Sequence, residues 1–363
     1  MPVVKVQALI EERVEAIRAY HKDARVSQAE LDLSGGIDSA VMACLLVEAL
    51  GADKVTLVHS RINTSPDQTG RAKALAQGLG AKLIDIDLTR LFSTLQAKME
   101  DALFAAGYDM AQVKQRCSTD KTIWGGLRSC LRAPIGRGFN RLTGNGIRHG
   151  TGNECEDRFL RYFQKGGDGE VDTNPIDMLS KVEVYQLAWG LAQRLPKAKQ
   201  AILDTINAIP SADLWGKAKK GPGQTDETEV KNWLGVAFTY GRLDTATGEI
   251  LSYGTIERVN RLCDLPFTAN NLQSFPTIGG LLFERAPDSK IVNRQDYADA
   301  IISIAMATSF KGFTWAETQG FLAAAKRAEK ATRHKEANLP SLGSRETLVD
   351  LGILSNEIPP KEA

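Results

Sequence analysis

The residues with the clearest chemical character form the run Ser34-Gly35-Gly36-Ile37-Asp38-Ser39. Two adjacent glycines let the backbone turn tightly, so that successive N–H groups can face one concavity and hold an anion. A strongly apolar helix is predicted to follow at once, and the partial positive charge at its N-terminus also favours anions. The hydroxyl groups of Ser34 and Ser39 add further donors. Together these groups suit the oxygens of a phosphate chain.

Asp38 is the unexpected member of this turn, because a carboxylate would repel a phosphate. A Mg²⁺ ion placed between the carboxylate and the phosphates removes the conflict. The turn is neither a Walker A loop, since G-x-x-x-x-G-K-[ST] is absent, nor the dinucleotide pattern G-x-G-x-x-G. The alternative is a tight turn in which Asp38 or Ser39 only caps the helix. We favour phosphate binding because the whole pattern directly follows the first predicted strand.

The elements around this turn alternate between strand and helix. Strands are predicted over 29–33, 54–60 and 82–88, and helices over 3–24, 39–50, 66–79 and 89–106. Strands joined through single helices form a parallel sheet with right-handed crossovers, so the sequence predicts an α/β, doubly wound parallel sheet with helices on both faces. Such sheets bind ligands at the carboxyl ends of their strands, where the turn would lie. The chain beyond residue 180 is predicted to be mostly helical.

Composition narrows the class of protein. The 363 residues include 43% apolar and 25% charged residues, with a net charge of +1, which indicates a globular chain and argues against nucleic acid as a partner. The longest apolar run, 40–47, is too short to cross a membrane, and the N-terminus lacks a signal-peptide pattern. The five cysteines never form C-x-x-C. We therefore expect a cytoplasmic protein without a disulfide framework.

A second group of motifs narrows the function. The turn at 34–39 is similar to the pyrophosphate loop of the ATP pyrophosphatases, whose fold is adenine-nucleotide α-hydrolase-like. Within that family, the ammonia-dependent NAD synthetases are the members that the chain resembles over several blocks in the same order. These blocks are Gly150-Thr151-Gly152-Asn153, Glu156, Phe163-Gln164-Lys165-Gly166-Gly167-Asp168-Gly169, Asp172, Asn174-Pro175, Lys181, Pro210-Ser211, and Arg333-His334-Lys335.

The resemblance implies ATP-dependent amidation of deamido-NAD to NAD with ammonia, through an acyl-adenylate, with release of AMP and pyrophosphate. It implies Mg²⁺ as cofactor, held by Asp38 and Glu156, and a catalytic set of Asp38, Glu156, Lys181 and Asp172. The ATP-binding residues that it implies are Ser34, Gly35, Gly36, Asp38, Ser39, Arg61, Thr151, Lys181 and Ser211. The deamido-NAD-binding residues that it implies are Arg128, Lys165, Asp172, His334 and Lys335.

The chain departs from the family pattern in two places. Residues 144–149 are less apolar than the strand that the family has before Gly150, and the stretch from Arg128 to Thr151 is slightly longer. Arg128 and Arg132 therefore remain alternatives for the substrate arginine. An irregular insertion over 264–317 has no readable function. We predict an N-terminal helix over 1–28, a synthetase domain over 29–263, and a C-terminal helix with the closing segment of that domain over 318–363.

The resemblance also implies a homodimer with deamido-NAD near the interface. Only residues 1–28 precede the first predicted strand, so we expect no amidase domain and predict free ammonia as the donor, made in bulk or supplied by a separate protein. Two other functions stay open. One is a related pyrophosphate-loop ligase that adenylates a different nucleotide substrate, and the other is a catalytically silent nucleotide-binding regulator.

Overall fold

A central parallel sheet carries the phosphate-binding turn in the computed structural model of the chain. The structure describes residues 5–120, 122–158, 160–211, 225–265, 277–283 and 294–335. The strands are β1 (Ala29–Asp32), β2 (Val55–Arg61), β3 (Lys82–Asp87), β4 (Ile147–His149), β5 (Arg242–Leu243) and β6 (Ile250–Ser252). The first four form one sheet in the order β3-β2-β1-β4, every neighbour pair parallel. The last two form a short antiparallel ribbon.

Helices account for most of the remaining described chain. They are α1 (Val6–Ala24), α2 (Ile37–Leu50), α3 (Pro66–Leu79), α4 (Thr89–Ala105), α5 (Met110–Thr119), α6 (Thr122–Thr143), α7 (Glu154–Asp157), α8 (Lys181–Arg194), α9 (Lys199–Ile206), α10 (Asp226–Leu234), α11 (Thr255–Asp264), α12 (Ile278–Leu282), α13 (Arg294–Ala307) and α14 (Trp315–Thr332). None of the helices in these ranges is both long enough and apolar enough to cross a bilayer.

The sheet reverses its strand order at β1. The chain steps from β1 outward to β2 and β3 and then returns to place β4 on the other side of β1. Helices α1, α2, α3, α8 and α9 share one hydrophobic core with β1 and β2, whereas α6 packs against β1 and β2 with a smaller apolar cluster that includes Phe92. The predicted doubly wound α/β sheet is therefore confirmed. Ligands bind such sheets at the reversal point, here between the carboxyl ends of β1 and β4.

The strand β4 forms although its sequence is poor in apolar residues. Arg148 is 2% exposed, and its guanidinium donates to both carboxylate oxygens of Glu30 at 2.8 Å and also pairs with Asp32 on β1. His149 stacks on His21 of α1, with ring centroids 5.2 Å apart. Because neighbouring elements supply partners for both polar side chains, they can be buried in the sheet. A pattern of apolar residues alone does not reveal such pairing.

The C-terminal helices build a second core. Apolar side chains of α10, α11, α12, α13 and α14 pack together, and Leu160 and Cys155 from the segment after β4 join them. The interval 264–317, expected to be irregular, thus contains helices α12 and α13 in its described parts. The domain limits 1–28, 29–263, 264–317 and 318–363 stay predictions, and residues 1–4, 266–276, 284–293 and 336–363 lie outside the described residues.

Candidate active site

The turn between β1 and α2 has the geometry of an anion nest. Gly35 has φ +83°, and a Cβ atom there would lie 2.3 Å from the carbonyl oxygen of Gln68, so only glycine fits. The Gly36 N–H donates to the Ser34 hydroxyl at 3.2 Å, and the hydroxyls of Ser34 and Ser39 lie 3.0 Å apart. Gly36 is the N-cap of α2 and has no side chain to cover the helix N-terminus. The first N–H groups of α2 are therefore free to meet an anion.

A buried lysine joins two carboxylates beside this nest. Lys181 Nζ donates to Asp38 Oδ2 at 2.7 Å and to Glu156 Oε1 at 2.8 Å, and its side chain is 1% exposed. Burial by itself would lower the pKa of Lys181, but the two carboxylates outweigh it and raise the pKa well above its usual value. Burial raises the pKa of Glu156 to about 7, against the opposing effect of Lys181. Asn153 Nδ2 also donates to Asp38, at 2.9 Å.

Local structure fixes the position of that lysine. It is the first residue of α8, and Glu183 accepts hydrogen bonds from both the N–H and the hydroxyl of Ser180, each at 2.8 Å. This capping arrangement sets where the helix begins. Asp38 lies in the first turn of α2, and Glu156 lies in α7 after β4. Three helix starts therefore bring the triad together at the carboxyl end of the sheet.

The cleft around the triad contains most of the predicted ATP residues. Its wall includes Ser34, Gly36, Asp38, Ser39, Thr151, Glu156, Lys181 and Ser211. Arg61 is placed differently, because its guanidinium pairs with Asp85 at 2.6 Å and with Asp87 at 3.1 Å on the neighbouring strand β3. These ion pairs direct the Arg61 side chain toward β3, and Arg61 is not part of the cleft wall.

The residues predicted to bind deamido-NAD are not gathered at one place. Arg128 is 7% exposed and lies over the Phe92 ring at 5.5 Å, whereas Arg132, its alternative, lines the cleft. Asp172 accepts from Arg137 at 2.8 and 2.9 Å and from the Arg148 N–H at 2.8 Å, at the flank of β4. The role predicted for Asp172 therefore finds no support in this geometry.

Three further predicted residues, Lys165, His334 and Lys335, are not part of the cleft wall. Lys165 is exposed in the turn after α7, and His334 is exposed in a short 3-10 turn after α14. Lys335 Nζ donates to the carbonyl oxygens of Arg161 and Phe163 at 2.7 and 2.5 Å. These two hydrogen bonds connect the chain just after α14 to the segment 161–163, which follows α7.

Asp168 and Arg71 also line the cleft, although the sequence pattern assigns no role to either. Asp168 accepts from the Ser129 hydroxyl at 2.7 Å and from the Gln164 N–H at 2.8 Å. The glycine-rich turn around Asp168 was a signal that could have found it. Arg71 lies in the middle of α3, and no local pattern marks it as functional.

A second cavity adjoins the cleft through shared wall residues, Thr151, Glu156, Tyr162 and Asp168. Its lining is acidic, with Glu154, Asp157 and Asp177. Burial, followed by the charges of Glu156 and Asp168, raises the pKa of Asp157 to about 8. A Cβ atom at Gly152 would lie 2.0 Å from Asp157 Oδ2, so a side chain there would displace this carboxylate from its present position.

The donor set fits a magnesium ion that substrate phosphates help to bind. Asp38 and Glu156 contact the same ammonium group and line the same cleft as the phosphate nest. Within the described ranges no group of three or more His, Cys, Asp or Glu side chains is arranged to hold a metal by itself. Mg²⁺ commonly takes one or two carboxylates together with substrate phosphates, so two carboxylates suffice.

The amino-acid sequence is similar to that of known NAD synthetases. The family model described as NAD synthase matches residues 9–258. The NH(3)-dependent NAD(+) synthetase of Methanocaldococcus jannaschii is 32% identical over 270 residues, which cover 74% of this chain and 88% of that protein. The corresponding protein of Archaeoglobus fulgidus is 34% identical over 245 residues, covering 66% and 81%.

Two solved structures share the fold. The NMN synthetase of Francisella tularensis has a TM-score of 0.51 at 23% identity and covers 74% of this chain and 100% of its own. A glutamine-dependent NAD(+) synthetase from Cytophaga hutchinsonii has a TM-score of 0.61 at 14% identity, covering 93% and 50%. The family model spans most of the chain, and both of these relatives are more than 30% identical to it, over 74% and 66% of its length. This chain belongs to the NAD synthase family.

Proposed function

We propose that this chain converts deamido-NAD to NAD with ATP and ammonia in the cleft beside Lys181. The observation that carries the proposal is the buried ammonium of Lys181 between Asp38 and Glu156, next to an anion nest at the end of β1. In the family reaction, the nicotinate carboxylate attacks the α-phosphorus of ATP and pyrophosphate leaves. Ammonia then attacks the acyl-adenylate, which gives the amide and AMP.

The cleft supplies what the first step needs, because two anions must approach each other. The nest N–H groups and the hydroxyls of Ser34 and Ser39 would hold the phosphate chain, with Thr151 and Ser211 on the same wall. Preorganised donors and cations of this kind stabilise the charge of the transition state. Lys181 is held in place before substrate binds, so it needs no reorganisation during the reaction.

Asp38 and Glu156 would hold the magnesium ion that the family chemistry calls for. Bound there, Mg²⁺ would neutralise phosphate charge. The two carboxylates orient Lys181 through hydrogen bonds at 2.7 and 2.8 Å. Asn153 fixes the second oxygen of Asp38, which leaves this carboxylate a single orientation.

For deamido-NAD we assign the arginine to Arg132. Its Nε donates to the Ser60 carbonyl at 3.2 Å, and the side chain lines the cleft. Two carboxylates, Glu156 and Asp168, stand on the wall that both cavities share. Glu156 contacts Lys181 and is assigned to the magnesium ion, so we assign to Asp168 the role of orienting the nitrogen nucleophile. Lys165 and His334 remain candidates for the outer part of the dinucleotide. Lys335 donates a hydrogen bond to the Arg161 carbonyl, and the outer part of the dinucleotide would lie on the segment that contains Arg161.

We also propose a homodimer. Helix α4 buries only Phe92, and helix α5 buries none of its residues. Leu91, Met99, Phe104 and Tyr108 are 40% to 73% exposed along these helices. Exposed apolar side chains gathered on neighbouring helices mark interaction surfaces, and two-fold dimers are the commonest assemblies.

The test is an assay of the purified chain with ATP, Mg²⁺, deamido-NAD and ammonium, in which pyrophosphate and NAD are both measured. We expect stoichiometric products, and at fixed total ammonium a rate that rises with pH, because only uncharged NH₃ is nucleophilic. Parallel assays use ammonia-free glutamine, and nicotinic acid mononucleotide in place of deamido-NAD. Absence of pyrophosphate release with deamido-NAD would refute the proposal. Release with another nucleotide would indicate a related ligase, and release with none would indicate a regulator.

A variant pair locates the reaction in this cleft. Asp38→Ala should lower turnover by about 10² or more, the scale of losing one group that stabilises transition-state charge. Asp53→Ala removes an exposed carboxylate just after α2 and should leave turnover unchanged. Near-normal turnover of the Asp38 variant would place the chemistry elsewhere.

A further inference from the structure

Arg71 is a cation on the wall of the cleft that contains the phosphate nest, and it forms no ion pair with the described residues. It lies on α3, and its Nε donates to the carbonyl oxygen of Gly35 at 2.9 Å. The side chain lines the same cleft as Ser34, Gly36 and Ser39. It is half-buried, and no carboxylate of the described chain lies within ion-pair distance of it.

The other cations near the site are already engaged or assigned. Lys181 pairs with Asp38 and Glu156, and the Arg61 guanidinium pairs with Asp85 of β3. Burial lowers the pKa of Arg71, and only the more distant charges of Asp67 and Asp204 oppose this effect. A guanidinium stays protonated in such a place, so the partly desolvated charge is stabilised when an anion occupies the cleft.

The contact with Gly35 also orients the nest. In a trans peptide the carbonyl and the following N–H point in opposite directions. Because Arg71 holds the Gly35 carbonyl, the Gly36 N–H is directed away from α3, where it meets the Ser34 hydroxyl at 3.2 Å. One donor of the guanidinium is used in this contact, and the remaining donors of its planar fork can meet a ligand in the cleft.

We infer that Arg71 binds the outer phosphates of ATP and stabilises the departing pyrophosphate. The inference rests on the proposed function, since it requires ATP to be cleaved between its α- and β-phosphates in this cleft. A guanidinium suits this role because its fork can contact two phosphate oxygens at once. AMP lacks the outer phosphates, so Arg71 should distinguish pyrophosphate from AMP.

The experiment compares the whole chain with Arg71→Gln, Arg71→Lys and the control Lys73→Gln. Lys73 lies on the same helix, is 54% exposed and pairs with Asp85 at 2.7 Å, outside the cleft. Calorimetry measures the Kd of inorganic pyrophosphate and of AMP, each with Mg²⁺, and steady-state assays give KM for ATP and for deamido-NAD.

We expect Arg71→Gln to weaken pyrophosphate binding and to raise the ATP KM by about 10- to 100-fold, the scale of a hydrogen bond between charged groups. The Kd of AMP and the KM of deamido-NAD should change by less than about threefold, and Arg71→Lys should recover part of the loss, because a point charge replaces a fork. Lys73→Gln should behave as the unaltered chain.

Two results would overturn the inference. One is unchanged pyrophosphate binding in Arg71→Gln, and the other is an equal loss for AMP and pyrophosphate, which a purely structural role would produce. Thermal unfolding monitors folding. If Arg71→Gln does not fold, Arg71→Lys must show the intermediate, pyrophosphate-selective loss, and its absence overturns the inference as well. If the unaltered chain releases no pyrophosphate from ATP, the proposed function fails and the inference fails with it. An active chain with an unaffected variant refutes the inference alone.

Discussion

At the scale of single residues, the most consequential feature is the ammonium of Lys181 between two carboxylates. Each carboxylate side chain is less than one-fifth exposed, and the lysine is almost wholly buried. In a buried group of charges, the mutual attraction has to offset the cost of removing the charges from water, so the net contribution to stability is small. Removing one partner nevertheless destabilises the fold strongly, because it leaves an uncompensated buried charge. A role of Lys181 in the reaction therefore explains this arrangement better than a contribution to the stability of the fold does.

The first prediction follows from this arrangement. Lys181→Met should lower the rate of pyrophosphate release by about 10²- to 10³-fold, because a charge that stabilises the transition state is lost. The free energy of unfolding should also fall, because Asp38 and Glu156 would face each other without a counterion. Stopped assays of pyrophosphate and urea denaturation measure the two effects. Lys199→Met, at an exposed lysine of α9, is the matched control. A rate within threefold of normal for Lys181→Met would contradict the assignment.

The stacked histidines give a second prediction, on pH. Burial, then the neighbouring His21, lowers the pKa of His149 to about 4, although Asp172 and the backbone carbonyls of Ile147 and Glu30 act in the opposite direction. The unfolded chain binds this proton near the ordinary pKa of 6.5, so the neutral ring stabilises the fold above that pH. This stability should be lost progressively as the pH falls from 6.5 to 4, by about 3 kcal/mol at 1.36 kcal/mol per pKa unit.

The comparison with a variant isolates that contribution. His149→Phe keeps a ring against His21 but cannot titrate, so its free energy of unfolding should fall less steeply between pH 7 and pH 4.5. Burial also lowers the pKa of His59, but the partners of His59 are Leu33 and Thr69, so its contribution is common to both proteins. Equal acid slopes in urea denaturation would show that His149 does not contribute.

At the scale of elements, one buried carboxylate connects three segments around the active site. Glu257, in the first turn of α11, is wholly buried. It accepts from the N–H of Val182 at 3.1 Å, of Gly241 at 3.1 Å and of Gly254 at 2.5 Å. Val182 follows Lys181, and the Tyr240 ring lies 5.1 Å from the lysine ammonium. The second core is thereby fixed to the start of α8.

The third prediction tests this connection. Glu257→Gln should lower the free energy of unfolding by about 2–3 kcal/mol, because an amide N–H₂ would face backbone N–H groups that then remain unsatisfied. Hydrogen exchange at the Val182 and Gly241 amides should become faster at the same time. Glu249→Gln, at an exposed residue near β6, should change neither quantity. If the Glu257 variant keeps full stability and slow exchange, the carboxylate is not the connection between these segments.

For the whole molecule, the exposed faces of α4 and α5 form an apolar surface that the single chain leaves uncovered. Leu91, Leu95 and Met99 follow one another at intervals of four residues and therefore lie on one side of α4. Phe104 and Tyr108 continue the surface toward α5 and are 73% and 61% exposed. Burying these side chains against a second copy would remove apolar area from water.

The fourth prediction concerns this assembly. The chain should sediment as a dimer at micromolar concentration, and the double variant Leu91→Glu, Met99→Glu should sediment as a monomer, because two charges per copy would be buried. Leu251→Glu places the same charge on β6, at a residue 67% exposed and away from α4, and should remain dimeric. An unaltered chain that is monomeric and active would contradict the proposed dimer.

The features that could be predicted from the amino-acid sequence are those that depend on local chemistry. The turn at 34–39, the alternation of strands with helices and the motif block from Gly150 to Lys181 depend on neighbouring residues, on backbone preferences and on hydrophobic periodicity. They predicted the parallel sheet, and the resemblance of the motif blocks predicted the family. The structure places Asp38, Glu156 and Lys181 in contact, and their roles stay predictions. Helix α3 was predicted with the same bounds that the structure has, because Ser65, Pro66 and Gly80 mark its ends.

Which side chains share the cleft became clear from the folded chain. Arg132 lines it whereas Arg128 packs on Phe92, and Asp168 lines it whereas Asp172 pairs with Arg137. Sequence spacing cannot separate these pairs, because the direction of a side chain depends on packing between elements distant in the chain. For the same reason the sequence undervalued β4, whose Arg148 becomes a stable core residue only beside Glu30 of β1. A buried charge needs a partner of opposite charge, and here that partner lies on the neighbouring strand. The residues next to Arg148 in the sequence do not indicate which residue this partner is.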